Sequence, residues 1–371
     1  METNLHKFFS QIPDPRINRK RKHLLIDIII LCILAVICGA ESWDSIEAFG
    51  KAKHKFLSKF LKLPNGIPSH DTINRVFSMI HSKKFEEVFA KWVESLKKQG
   101  INKENYKEKE IIAIDGKSIC GSRDDYYDKP PIHLVSAWAN SNKLVLGQRK
   151  VEGKTNEINA IPELLKLIDV EGCIVSIDAM GTQKKIVDEI IENKADYILA
   201  LKSNQEYLKE NVENIFKIQA PGSQATTIEK SHGRIETREC IVINDLRFLE
   251  HELRWKNMES IVKINSTREL KGKTTKQTRY FISSVIDSAD NFNSFIRQHW
   301  SVENSLHWTL DVVFNEDYQR KRKGKAAENF ALIQKIALNL VKSENTIKAS
   351  LKNKRLKAGW DNDFLVHLIG F

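Results

Sequence analysis

Cysteine is scarce: Cys32, Cys38, Cys120, Cys173 and Cys240 are the 5 in a chain of 371 residues. None forms a C-x-x-C pair and the number is odd, which argues against a disulfide framework and a thiolate zinc site. That usage predicts a reducing, cytosolic compartment. Long apolar runs are scarce too. Only "LLIDIIILCILAVICGA" (24–40) stands out. It is shorter than the ~20 residues that span a bilayer, contains Asp27, and lacks the small-x-small cleavage site of a signal peptide. It reads as a buried core helix, with membrane insertion a minor alternative. No further targeting segment, internal repeat or low-complexity tract is found.

Positive charge is abundant. Lys and Arg total 59 against 48 Asp and Glu, a formal net charge of +11. Hydrophobic residues at 41% supply real cores, so the chain is not of the disordered class. A basic excess on a folded chain favours polyanions, nucleic acid first and anionic membrane second.

Along the chain, residues 1–105 read as a helical N-terminal domain. Helical periods run over 42–61 and 83–98, and Ser69 is placed to cap a helix after "LPNGIP". "QGINKENYKEKE" (99–110) is polar, aperiodic and reads as a linker. From 106 to 204 the period alternates: strands at "IIAIDGKSI", "IHLVSAWAN", "KLVLGQRKV", "CIVSIDA" and "DYILALK", with helices over 156–168 and 182–194. The order β-β-β-α-β-α-β combines a hairpin with parallel crossovers, a mixed α/β sheet. Residues 205–285 read as a β-rich insertion, with strand-like stretches at 226–245, 259–265 and 278–285. Residues 286–345 return to helix, with one strong helix over 291–315 and another over 328–343, and 346–371 form a C-terminal tail.

Two apolar strands end in a carboxylate, "IIAIDG" at Asp115 and "CIVSIDA" at Asp178. In open α/β sheets, ligand sites lie beyond such strand ends. Two like charges held together there need a cation or a proton between them, and hard oxygen donors suit Mg²⁺ or Mn²⁺. Each Asp taken alone reads first as a turn or helix cap; the pair on this strand order reverses that preference. A third acid is sought in "FIRQHWSVENSLHWTLDVVFNED" (295–317), where Glu303 stands among Trp300, Val302, His299 and His307. His299, Glu303 and His307 at i, i+4, i+8 cannot wrap a tetrahedral zinc from one helix. Hydrogen bonding or phosphate contact suits those histidines better.

The order strand-Asp, strand-Asp, helix-Glu resembles the DDE catalytic core of insertion-sequence transposases, most closely the H-repeat-associated group. "IAIDGKSI", "VSIDAMGTQ", "SHGRIETRE" and "RQHWSVENSLHWTLDVVFNED" carry the likeness, with "GIPSHDTINRVF" preceding the core. The resemblance implies a ribonuclease-H-like fold, a five-stranded mixed sheet with flanking helices. It also implies divalent-metal dependence and Asp115, Asp178 and Glu303 as catalytic, metal-holding triad. Two Mg²⁺ or Mn²⁺ ions would serve the attacking and leaving oxygens of a phosphodiester. Strand transfer by the freed 3′-OH follows from the likeness alone. Wider relatives carry Tyr, Arg and Lys around the last Glu; here those positions hold Ile296, His299 and Leu310, with Arg297 nearby. Lys117, Gln183, Lys202, Asn304 and Asp311 are candidate supporting residues.

Double-stranded DNA, both terminal inverted repeats and target, is the expected partner, bound by a homodimer or higher oligomer in a bacterial cytoplasm at the nucleoid. Candidate DNA contacts are the cluster beginning at Arg16 (Arg19, Lys20, Arg21, Lys22), the run Arg320, Lys321, Arg322, Lys323, the turn at His232 and Arg234, and Arg297 and His299. Two alternatives stand beside a transposase: a nuclease of the same fold without strand transfer, and a catalytically inactive, transposase-derived DNA-binding protein.

Overall fold

The computed structural model describes residues 4–100, 109–152, 157–231 and 233–370. It opens with helices α1 (Asn4–Phe9), α2 (Leu25–Ile37), α3 (Trp43–Ala52), α4 (His54–Leu57), α5 (His70–Met79) and α6 (Ser82–Gly100). The apolar run of 24–40 is α2, a core helix with every residue buried except Ile26. Asp27 is tolerated there because its carboxylate accepts the Leu63 amide at 2.8 Å, which satisfies a buried polar group. Ser42 and Ser69 cap α3 and α5 by accepting the amides of Ser45 and Thr72. The helix expected over 42–61 is broken between α3 and α4. Residues 101–108, the body of the expected linker, lie outside the described residues.

A single mixed sheet comes next. Its strands are β1 (Ile111–Ile119), β2 (Ile132–Ala139), β3 (Leu144–Val151), β4 (Ile174–Ile177), β5 (Asp196–Leu201), β6 (Ser223–Ser231), β7 (Arg234–Ile243), β8 (Ser260–Leu270) and β9 (Lys273–Ser283). Their order is β3-β2-β1-β4-β5-β9-β8-β7-β6. The expected five-stranded sheet is thus corrected to nine strands, because β9 pairs antiparallel with β5 and carries the inserted strands into the same sheet. The stretch 226–245 is two strands folded at Gly233, whose φ of +71° suits glycine.

Helices α7 (Glu157–Leu165), α8 (Lys184–Glu192) and α9 (Glu206–Ile218) connect strands. The last lies inside the stretch read as β-rich and buries Leu208, Val212 and Ile215. After β9 come α10 (Ala289–His299), a π-helical turn (Val302–His307), α11 (Trp308–Phe314), α12 (Ala326–Ser343), α13 (Leu351–Trp360) and α14 (Asn362–Leu368). The single helix expected over 291–315 is therefore three pieces, and the expected tail is two helices.

Alternation along the strands defines the faces. Ile111, Ile174 and Ile198 share an apolar cluster with Phe292, Phe295 and Ile296 of α10. On the opposite face α7 packs against the sheet, with Leu164 and Ile168 closing over Gly147. Helix α12 is buried almost throughout and packs against α2, α5 and α6. No helix among the described residues is long and apolar enough to cross a membrane.

Candidate functional site

The strands β1 and β4 run parallel in register, Ile111 to Ile114 against Ile174 to Ile177. Asp115 and Asp178 are the next residue on each, so alternation turns both toward the face that α10 covers. Asp115 accepts its neighbour's amide, Gly116 N, at 2.9 Å, and its other oxygen lies 3.2 Å from His307 Nε2. Burial raises the Asp115 pKa, but the hydrogen bond from His307 and the charges of His307 and His299 outweigh it and hold the carboxyl below its usual range. Asp178 caps the short turn Ala179–Gly181 by accepting Met180 N at 3.0 Å. The capping role open to an Asp at this position is present.

His299 lies behind both carboxylates. Burial lowers its pKa, against the raising influence of Asp115, Asp178 and the Ser176 backbone. The Nδ1 atoms of His299 and His307 are both buried without a hydrogen-bond partner among the described residues. His299 thus sits within electrostatic reach of both acids.

Glu303 stands on the π-turn with an exposed side chain, and its charge acts on Arg279 of β9. No group of three or more His, Cys, Asp or Glu side chains among the described residues is placed to hold a metal ion. The donors are hard oxygens of the right chemistry, but in this arrangement they do not fit a closed divalent centre.

Lys117, two residues past Asp115 on the same face, ties the strand to α11 and the turn beyond it. Its ammonium is bonded to Asp311, lies 3.0 Å from Glu316 and 3.6 Å from Asp317. Glu316 is 2% exposed and also faces Lys335 of α12 at 3.7 Å. Burial pushes Glu316 up, yet Lys335 and Lys117 prevail and hold it low. Asp311 shifts the other way, raised by burial more than Lys117 lowers it.

Beside the π-turn lies a groove of about 510 Å³ lined by Arg234, Arg238, Arg268, Arg279, Arg297 and Trp300. The Arg279 guanidinium sits 4.4 Å from the centre of the Trp300 ring. Arg238 is buried, and burial together with Arg297 lowers its pKa. Five guanidinium groups converging on one concavity present fork-shaped donors suited to phosphate oxygens. Arg297 is bonded to Glu229, and Arg234 lies 3.3 Å from Glu236.

Of the basic residues singled out in the sequence, Arg234 and Arg297 meet in this groove. Arg19, Lys20, Arg21 and Lys22 are exposed around a short turn near Asn65. Arg16, at the head of that cluster, is buried and paired with Asp14 at 2.7 Å. Arg320, Arg322 and Lys323 are exposed, but Lys321 is buried, its ammonium donating to the Glu41 carbonyl at 2.7 Å. His232 lies outside the described residues. The sequence reading missed Arg238, Arg268 and Arg279. Arg234, Glu236 and Arg238 at steps of two on one strand were the available signal for a shared face.

Comparison with known proteins gives two family matches. Residues 6–93 match a family described as DDE_Tnp_1-associated, and residues 106–340 match the transposase DDE domain. The chain is 43% identical to "Putative transposase YncI" of Escherichia coli O157:H7, over 99% of this chain and 94% of that protein. It is 40% identical to "H repeat-associated putative transposase YhhI" of Escherichia coli strain K12, over 98% of this chain and 97% of that protein. A short relative, "Inactive transposase YbfQ" of the same strain, is 49% identical over 20% of this chain and 88% of its own length.

Proposed function

This chain belongs to the transposase DDE domain family, and from that premise we propose that it cuts DNA at transposon ends and joins the freed ends to target DNA. The observation that carries the reading is the arginine groove beside the segment holding Glu303. The groove offers a backbone-tracking surface next to acids that the strand tips and the π-turn present. We assign Asp115, Asp178 and Glu303 as the acids on which cleavage depends. The strand order β3-β2-β1-β4-β5 supports a ribonuclease-H-like core, with β6 to β9 as its insertion.

The family typically uses divalent metal ions. The three acids do not close on a common centre in this arrangement, and no step is routed through a metal ion here. The guanidinium groups grip phosphate oxygens. His307 and His299 bias Asp115 toward its ionised form. Lys117 anchors the strand tip to α11, which follows directly on the π-turn carrying Glu303 and His307, and to Glu316 beyond it. Terminal repeats and target duplex are the proposed substrates, bound by two or more copies of the chain in the cytoplasm.

The test is strand nicking of a duplex end in Mg²⁺ or Mn²⁺ buffer. Asp115→Asn, Asp178→Asn and Glu303→Gln are each expected to abolish nicking while gel-shift affinity stays within about twofold, since phosphate contacts dominate binding. Retained cleavage by all three variants overturns the reading. The open arrangement of the acids also favours a second reading, a DNA-binding derivative without chemistry. Absence of nicking by the unaltered chain, with binding intact, selects it, and joining of pre-cut ends separates a transposase from a plain nuclease.

A further inference from the structure

Three polar side chains on the sheet face turned away from Asp115 form a hydrogen-bonded chain that DNA cleavage at the three acids does not use. Alternation along β1 points Asp115 and Lys117 one way and Gly116 and Ser118 the other. Ser118 and His133 are direct cross-strand partners on β1 and β2, with Ser118 Oγ 2.9 Å from His133 Nδ1. The other ring nitrogen, His133 Nε2, is bonded to the carboxylate of Glu157, the first residue of α7. Ser118 is exposed, while the His133 and Glu157 side chains are 29% and 16% exposed. The strand makes room for the pair. A Cβ at Gly116 would lie 2.2 Å from Glu157 Oε1 and 2.6 Å from His133 Nε2.

The order of protons follows from the chemistry of the groups. An ionised carboxylate only accepts, so His133 donates from Nε2. In the neutral ring Nδ1 is then the acceptor, and Ser118 donates its hydroxyl proton to it. That leaves the lone pairs of the serine oxygen facing solvent. A nucleophile within reach of a base, itself oriented by a third group, is the arrangement that activates a hydroxyl. The Glu157 carboxylate beside the ring disfavours anionic substrates, and uncharged ones are taken here.

We propose that Ser118, His133 and Glu157 form a second reactive site, an activated serine that takes acyl groups from uncharged carboxylic esters. Ser118 Oγ bonds to the carbonyl carbon as its proton passes to His133 Nδ1, and Glu157 holds the imidazolium that results. The bond to the alcohol breaks, and the alcohol leaves with that proton. Water then attacks the acyl-serine, its proton takes the same route, and the carboxylic acid departs as Ser118 is restored.

The test uses the full chain in EDTA, without DNA, and an uncharged fluorophosphonate. The Oγ–P bond replaces P–F, and fluoride leaves with the hydroxyl proton. Because neither DNA nor a divalent ion enters, the outcome is separate from that of the nicking assay. Peptide mass spectrometry is expected to find the label on Ser118, absent in Ser118→Ala and about a hundredfold slower to appear in His133→Gln and Glu157→Gln, the scale of a lost general base. Release of p-nitrophenol from p-nitrophenyl acetate should fall in the same variants. Should the His133 or Glu157 variants fail to fold, native protein is compared with protein in urea. Label on Ser118 in the native state alone supports the proposal. No label on Ser118, or label at equal rates in both states, overturns it.

Discussion

Lys321 carries its ammonium into a nest of aromatic rings. Nζ sits 3.6 Å from the centre of Phe330 and 5.0 Å from that of Trp43. Burial pushes its pKa down to about 7, and Cys32 and Glu41 oppose this only in part. Between that value and the ordinary 10.5 of the unfolded chain, the unfolded state binds more protons than the folded one. Stability therefore rises with pH across this window and is lost as pH falls toward 7. Lys321→Met should flatten that rise in urea unfolding followed from about pH 7 to 10.5. The same variant should leave the salt slope of DNA binding unchanged, whereas Arg320→Ala and Lys323→Ala should each lower it by about 1 if they contact phosphate. In the sequence the four basic residues look alike. Only the turn that packs Lys321 against Trp43 separates it from its neighbours, and that contact joins residues far apart in the chain. Asp115 and Asp178 were legible because a carboxylate closing an apolar strand is anomalous in itself; the hydrogen bond from His307 was not. Lys117 gives a sharper test. Lys117→Met strips a partner from the buried Glu316, and a broken buried pair costs about 3–5 kcal/mol. Urea unfolding should show a loss approaching that size, and a double-mutant cycle with Glu316→Gln should show strong coupling between the two positions.

Among the elements, the π-turn at Val302–His307 decides where Glu303 points. Its apolar residues, Val302 and Leu306, stay buried, so the hydrophobic steps read from the sequence survive while the helix around them widens. Periodicity reports which residues are inside and is nearly blind to one widened turn, which is why a continuous helix was expected there. Such widened turns are frequent at functional sites. The arm formed by β8 and β9 poses a separable question. Its outer half is exposed and ends in the turn Lys271–Gly272, with both φ angles positive. Ser266 pairs with Gln277, so replacing residues 267–276 with Asn-Gly should close a two-residue hairpin in the native register. The expected result is weaker DNA binding with a smaller salt slope, since Arg268, Lys271, Lys273 and Lys276 all leave with the segment, and a lower thermal midpoint, since Arg234 to Thr237 of β7 lose their β8 partners. Strand character in this region was legible from alternation. The helix α9 was not, because charged residues crowd its three buried positions.

For the molecule as a whole, Arg355 of α13 is a meeting point. Its guanidinium donates to the carbonyls of Val36 at 2.9 Å and Ile37 at 3.3 Å, and to that of Val313. One side chain thus satisfies the carboxyl-terminal ends of α2 and α11, where carbonyls lack partners within their own helix. Burial lowers its pKa to about 10, which leaves it charged at neutral pH. Arg355→Met should cost about 2–3 kcal/mol or more, as expected for buried bonds to a charged group, read as a lower urea midpoint. Nothing local marks residues 346–371 for such a role, since the partners on α2 lie at the far end of the chain. The sheet shows the same division: its strands were legible one by one, but the pairing of β9 with β5 is a long-range fact. That pairing sets the point where the chain leaves β5 beside the point where β9 brings it back, Leu201 opposite Tyr280. A detour whose doorway in adjoins its doorway out can be lengthened, pared down or exchanged like a cassette without re-threading the rest. Changes of that kind leave the tips of β1 and β4, with Asp115 and Asp178, untouched.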